Sequence, residues 1–172
     1  LNALPRRTRG LLLSAAGLLA VALACTPVAS AAGPTTLTFK EAEKGSTFAF
    51  IDNAPTAPKK HGFPTSISPG DEIITTNPLT EAGKTIGKLR ATCTATAAAK
   101  TNNPEAFAAA HFICQGVFSF GGGSIFGSAT IVKGGTEGVV NGGTGTYAGA
   151  SGTILSKEGK GGSTTTITLL GG

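Results

Sequence analysis

Residues 139–154 read "VVNGGTGTYAGASGTI", and the two ways of reading this glycine-rich run lead to different proteins. A dinucleotide or phosphate loop needs G-x-G-x-x-G between a strand and a helix, so that the helix N-terminus meets the pyrophosphate. Here Gly143 and Gly145 are followed by "TYAGASG", and Gly149 and Gly152 would break a helix begun there. No Walker-type lysine follows. The glycines instead supply positive φ angles and close backbone approach at a turn between two strands. Tyr147, the only tyrosine of the chain, is placed to cap the end of a barrel with its hydroxyl at the rim. The run is read as a turn in an all-β protein.

The flanking sequence agrees. Thr, Gly, Val, Ile and Phe dominate, apolar residues tend to alternate, and helix signals are nearly absent, which argues for strands. Strands are expected at 37–41 and 47–52 (a pair, or one interrupted strand), then at 72–77, 86–98, 107–120, 123–132, 138–141, 152–157 and 164–169. Pro55, Pro58, Pro64 and Pro69 exclude a central strand from the intervening residues, which read as a surface loop, and "PLTEAGK" from Pro78 reads as a turn. About eight strands with short connections predict an antiparallel barrel or sandwich.

The two longest strands allow a register to be set. Their turn is centred on "TNNP", Thr101 to Pro104, which is good turn chemistry. A hairpin symmetric about that centre places Cys93 opposite Cys114, Leu89 opposite Phe118, Ala91 opposite Gly116 and Ala95 opposite Phe112. Alternation puts all of these on one face and Lys88, Arg90, Thr92, Thr94, Gln115 and Ser119 on the other. A Cys93–Cys114 cross-strand disulfide facing the interior is therefore expected, with two reduced buried cysteines as the alternative.

The chain opens with Arg6, Arg7 and Arg9, an apolar run "LLLSAAGLLAVALA" at 11–24, and the small triplet Ala29-Ser30-Ala31. That order predicts a secretory signal peptide over 1–31, an N-terminal segment with the first strand over 32–46, and a barrel domain over 47–172. The run is short for a membrane span. Lipidation at Cys25 is an alternative, although "ALA" before it lacks the usual leucine, and the paired arginines leave the export route open between the general and twin-arginine pathways. The formal charge is +5; without the three leader arginines it is +2, with no basic stripe for nucleic acid and no cationic face for a membrane. Cleavage leaves two cysteines in an oxidising compartment, which suits one disulfide. His61 and His111 stand alone, without zinc spacing, so neither a metal nor a cofactor is expected.

Three stretches in order, "GDEIITTNPLTEAGKTIGKLRATC" (70–93), "GVFSFGGGSIFGSATI" (116–131) and "VVNGGTGTYAGASG" (139–152), resemble the allene oxide cyclase and dirigent protein barrels, across roughly residues 47–169. They are most similar to the secreted actinobacterial relatives. The resemblance implies an eight-stranded antiparallel barrel with an apolar cavity, dimeric or trimeric. It places Asn77 where the plant cyclases carry a pocket asparagine and Cys93 where they carry a pocket cysteine. By the same resemblance, Ala49 or Phe50 stands where their N-terminal strand carries a carboxylate, with Asp52 at the strand end; the acidic and arginine pocket positions of dirigent proteins are not placed in this sequence.

The ligand-cavity candidates are thus Asn77, Phe112, Phe118, Phe120 and Ile125. Asn77 before Pro78 also reads as an ordinary turn residue, and the phenylalanines as simple core. Glu41 and Glu43 alternate with Lys40 and Lys44 like a solvated edge, and His111 is expected to face outward. No Ser-His-Asp order or paired carboxylates stand out. The expectation is a secreted barrel that binds a small apolar ligand, and if it acts on it, guides a cyclisation or coupling by orientation without a cofactor. The rivals are a non-enzymatic envelope or matrix protein making contacts through residues 54–70, and a true allene oxide cyclase.

Overall fold

The structure, a computed structural model, describes residues 33–60, 63–101 and 109–170. The expected leader with Cys25, His61, and most of the turn expected at 101–104 lie outside the described residues. In chain order the strands are β1 (Thr35–Ala42), β2 (Thr47–Ile51), β3 (Lys59–Lys60), β4 (Phe63–Pro64), β5 (Ser66–Ile67), β6 (Glu72–Glu81), β7 (Lys84–Ala95), β8 (Ala99–Lys100), β9 (Phe112–Phe120), β10 (Gly123–Val132), β11 (Gly135–Gly143), β12 (Ser151–Gly159) and β13 (Gly162–Leu170).

An eight-stranded antiparallel barrel closes from these elements. Seven staves run β13-β12-β11-β10-β9-β7-β6, and the eighth is shared by β1 and β2. β1 pairs with β13 along its whole length and touches β6 only at Lys40↔Thr80 and Glu41↔Leu79. The chain then leaves the sheet over 43–46 and returns as β2, which pairs with β6 from Thr47↔Thr76 to Ile51↔Glu72. Of the two arrangements open in the sequence, the interrupted strand is the one formed.

That interruption explains a difference from expectation. β6 does not stop at Asn77; it runs through Pro78 to Glu81 and turns at Ala82-Gly83, both in the left-handed region (φ 47° and 77°). Proline lacks a ladder donor and is tolerated only where none is needed. Pro78 lies between the β1 and β2 pairings, opposite the excursion, where Gly45 passes close enough that an added Cβ would stand 3.3 Å from the proline Cγ.

β7 and β9 pair in the expected register: Leu89↔Phe118, Ala91↔Gly116, Cys93↔Cys114 and Ala95↔Phe112. The Cys93–Cys114 disulfide is formed across it. Followed round the barrel, the row Leu37–Ile167–Ile154–Gly138–Ala129–Cys114–Cys93–Ile73 returns to the starting stave at Phe50 rather than Leu37. This stagger is what tilted staves require for closure.

Two apolar clusters occupy the interior. One gathers Phe39, Leu79, Leu89, Phe118, Ile125 and Ile167 with their neighbours. At its end Phe39 meets Phe118 (5.9 Å between ring centroids) and Phe120 (5.6 Å), and Phe120 meets Tyr147 (5.6 Å). The second gathers Ile67, Ile73, Phe112, Ala95 and the disulfide. Residues 54–70 are therefore more than a surface loop. Ile67 and Pro64 are buried, β5 pairs with β8, and the segment covers one side of the second cluster. Asp71 fixes that cover: fully buried, its carboxylate accepts the backbone N–H of Asn53 and of Ser68, each at 2.8 Å.

The glycine-rich run forms the end of β11, a 3₁₀ turn at Gly145–Tyr147, and the start of β12. Gly145 has φ 61°, and a Cβ there would lie 2.2 Å from the Gly122 carbonyl oxygen. No helix follows, so the phosphate-loop context is missing.

Candidate functional site

Between the two clusters the barrel is not filled. A space of about 360 Å³ lies in the lumen, and a second of about 510 Å³ shares Glu41, Phe48, Thr75, Asn77 and Glu158 with it, forming its mouth. The reason is local side-chain size. On three staves, β7, β9 and β10, the inward positions include Ala91, Gly116, Gly127 and Ala129, which leave volume that larger residues take elsewhere. A Cβ added at Gly127 would come within 2.4 Å of Ile154 Cδ1, so that side chain would have to shift to admit it.

The lumen wall divides by chemistry. Ile73, Leu89, Phe118, Ile131, Ile154 and the two cysteines give it an apolar body. Around Glu41 it is polar. Asn77 Nδ2 donates to Glu41 Oε2 at 3.0 Å, and Thr165 Oγ1 donates to Glu41 Oε1 at 2.5 Å. Thr75 Oγ1 donates to Asn77 Oδ1 at 2.9 Å, which sets the amide so that its nitrogen faces the carboxyl group. The Ser156 hydroxyl lies 3.0 Å from that of Thr165 in a further hydrogen bond, and both residues are buried. Five side chains from four strands thus form one network, whose two ends are held by hydroxyls.

The register builds this network. Leu37, Phe39 and Glu41 share one face of β1, with Phe39 buried and Glu41 half-buried. Phe39 pairs with Thr165, and Thr165 with Ser156. The solvated-edge reading of Glu41 is therefore corrected, because β1 pairs on both sides and places this carboxyl group inward. Lys40, Glu43 and Lys44 are exposed, as that reading has it. A carboxyl group does border the lumen on the shared stave, at Glu41 on β1 rather than on β2 near Ala49 and Phe50. Strict two-residue alternation in "LTFKE" was the signal that could have found it.

The other candidates divide. Asn77 and Phe118 line the lumen. Asn77 is a mid-strand residue paired with Leu89, not a turn residue. Phe112, Phe120 and Ile125 do not line the space: Phe112 and Ile125 are fully buried, one in each cluster, and Phe120 is packed between Phe39 and Tyr147. Cys93 and Cys114 line the lumen as a disulfide, so neither offers a thiol. Asp52 accepts the Ala57 N–H at 3.3 Å and serves the loop. His111 is exposed, with φ 50°.

These features define a closed antiparallel barrel with a partly open lumen, apolar within and carboxyl-bearing at its mouth. Among solved structures, pyocyanin demethylase is similar to it, with a TM-score of 0.60 over 78% of this chain and 99% of that one at 19% identity. At that identity the likeness shows the fold. No protein family profile matches the chain, and no curated protein does.

Proposed function

We propose that this protein is a secreted barrel that binds a small, largely apolar molecule in its lumen. The observation that carries the reading is the unfilled space between two well-packed clusters, floored by aliphatic side chains and bordered by the Glu41–Asn77–Thr165 network. A space of about 360 Å³ is near the small end for ligand sites, and a few oriented polar groups in an apolar pocket are their usual chemistry. The disulfide fits an oxidising compartment, and no helix among the described residues is long and apolar enough to cross a membrane. By its name, the similar solved protein also acts on a small molecule, pyocyanin.

The narrower cyclase or dirigent-type reading gains a lumenal carboxyl group in Glu41 beside Asn77, and loses a free thiol at Cys93. Guidance by orientation needs neither a thiol nor a cofactor. The envelope or matrix reading keeps the exposed part of its contact segment, Ala54 to Thr56 and Pro58 to Lys60, while Pro64 and Ile67 turn inward. Ile113, Val139 and Leu155 on the outer wall are exposed apolar residues that suit a homo-oligomeric contact.

Titration with the neutral fluorophore N-phenyl-1-naphthylamine tests the binding reading. Saturable one-site binding is expected, abolished by Ala129→Phe, which projects a ring into the lumen. Absence of saturable binding, or binding unchanged in Ala129→Phe, overturns it.

A further inference from the structure

Among the described residues, the charged groups of the lumen all have one sign. Glu41 and Glu158 border both the inner space and the mouth, Glu43 joins them at the mouth, and among the described residues no Lys, Arg or His lines either. The register accounts for this. Glu41 and Glu158 are the two cross-strand partners of Ser163, one on each side of it. Their backbones are thus two strand spacings apart, about 10 Å, on the same face. Lys40 and Lys157 occupy the adjacent positions, which alternation turns to the outer wall, and Lys44 is exposed on the excursion.

A second feature stands at the same mouth. Phe48 is 57% exposed, its ring stacked on that of Phe63 at 6.0 Å and 28°, and it borders both spaces. A phenylalanine gains nothing from water, whereas an aromatic face beside carboxylates is well suited to a cation.

The three ligand charge states are therefore not equivalent. Carboxylates in a cleft with low-dielectric walls focus a negative potential. An anionic ligand meets that potential and loses hydration without a partner. A neutral one gains only from apolar burial. A cation with an apolar body gains from burial, from charge pairing and from the ring face. Both Glu41 oxygens already accept a hydrogen bond from the protein, so the group acts chiefly as a fixed charge, and a ligand without N–H donors satisfies it.

We infer that the lumen takes a small organic cation: an aromatic or aliphatic body seated against Ile73, Leu89 and Ile154, with a quaternary or protonated nitrogen at the mouth among Glu41, Glu158 and Phe48. The inference rests on the lumen being a binding site, as proposed above, and adds the class of ligand.

Calorimetric titration of the disulfide-intact protein at neutral pH with three bicyclic probes tests it: N-methylquinolinium, neutral quinoline, and 2-naphthoate. The cation is expected to bind about tenfold more tightly than quinoline, with no detectable binding of 2-naphthoate. Added salt weakens only the cation. In Glu41→Gln/Glu158→Gln the cation preference vanishes while quinoline still binds. If that variant fails to melt cooperatively, Glu158→Gln alone, at an exposed position, carries the test and loses part of the preference. Equal affinity for cation and quinoline in the unaltered protein, or preference for 2-naphthoate, overturns the cation assignment and leaves the binding site standing. Failure of all three probes to bind overturns both.

Discussion

Asn77 Nδ2 donates to Glu41 Oε2 at 3.0 Å across 36 positions of sequence, joining a carboxyl group on the interrupted stave to the middle of the strand beside it. The contact holds Glu41 toward the lumen at the one place where β1 and β6 meet. On the far side Thr165 holds the other oxygen, so the group is gripped from both neighbouring staves.

Thr165 is the fully buried member of this network. Thr165→Val keeps the shape and removes the hydroxyl, leaving Glu41 Oε1 and the Ser156 hydroxyl each short of a partner. The loss expected is about 1–3 kcal/mol, read from urea denaturation, with Thr165→Ser close to the parent. An unchanged midpoint for Thr165→Val would show that the network contributes nothing to folding.

Asp71 makes a comparable case at the loop. Asp71→Ala strands the N–H groups of Asn53 and Ser68, for an expected loss of about 3 kcal/mol. Asp71→Asn, which keeps an acceptor oxygen, should fall between the two. Equal stability of the alanine and asparagine forms would mean that water replaces the carboxylate.

The disulfide closes a loop spanning 21 residues of separation. Replacing both cysteines by alanine should lower stability by about 3 kcal/mol in the chain-entropy account. Reductant should shift the denaturation midpoint of the parent and leave that of the double variant alone. A parent insensitive to complete reduction contradicts this.

Gly145 tests the turn in the glycine-rich run. Gly145→Val introduces a β-branched residue at φ 61° and a Cβ against the Gly122 carbonyl, and should cost more than about 1 kcal/mol. Gly121→Ala, with open space around the added carbon, serves as the control. Matching melting temperatures for the two variants would refute the assignment.

The parts of this protein legible in its sequence are those fixed by short-range rules. Alternation around one turn sets the β7–β9 register residue for residue and, with it, the disulfide. The failed helix after Gly145 excludes the phosphate loop. What escapes depends on pairings far apart in the chain. "KEAEK" looks like a charged edge until β13 and β6 are laid on either side of it. Pro78 looks like the end of a strand until the excursion at 43–46 is seen opposite. Whether a phenylalanine fills the lumen or borders it depends on its height along the barrel, which is set by the stagger of all eight staves: Phe118 borders the space, while Phe112 and Phe120 do not.

The barrel closes through a seam only two residue pairs long, Lys40↔Thr80 and Glu41↔Leu79, whereas β1 holds β13 over eight. Local opening follows the shortest run of shared bonds, so amide exchange should be faster at this seam than within the β12–β13 hairpin. Glu41 belongs to the seam and to the lumen at once. Each parting of β1 from β6 therefore stretches the Asn77 contact, so the carboxyl group at the mouth of the lumen is held only as firmly as this short seam.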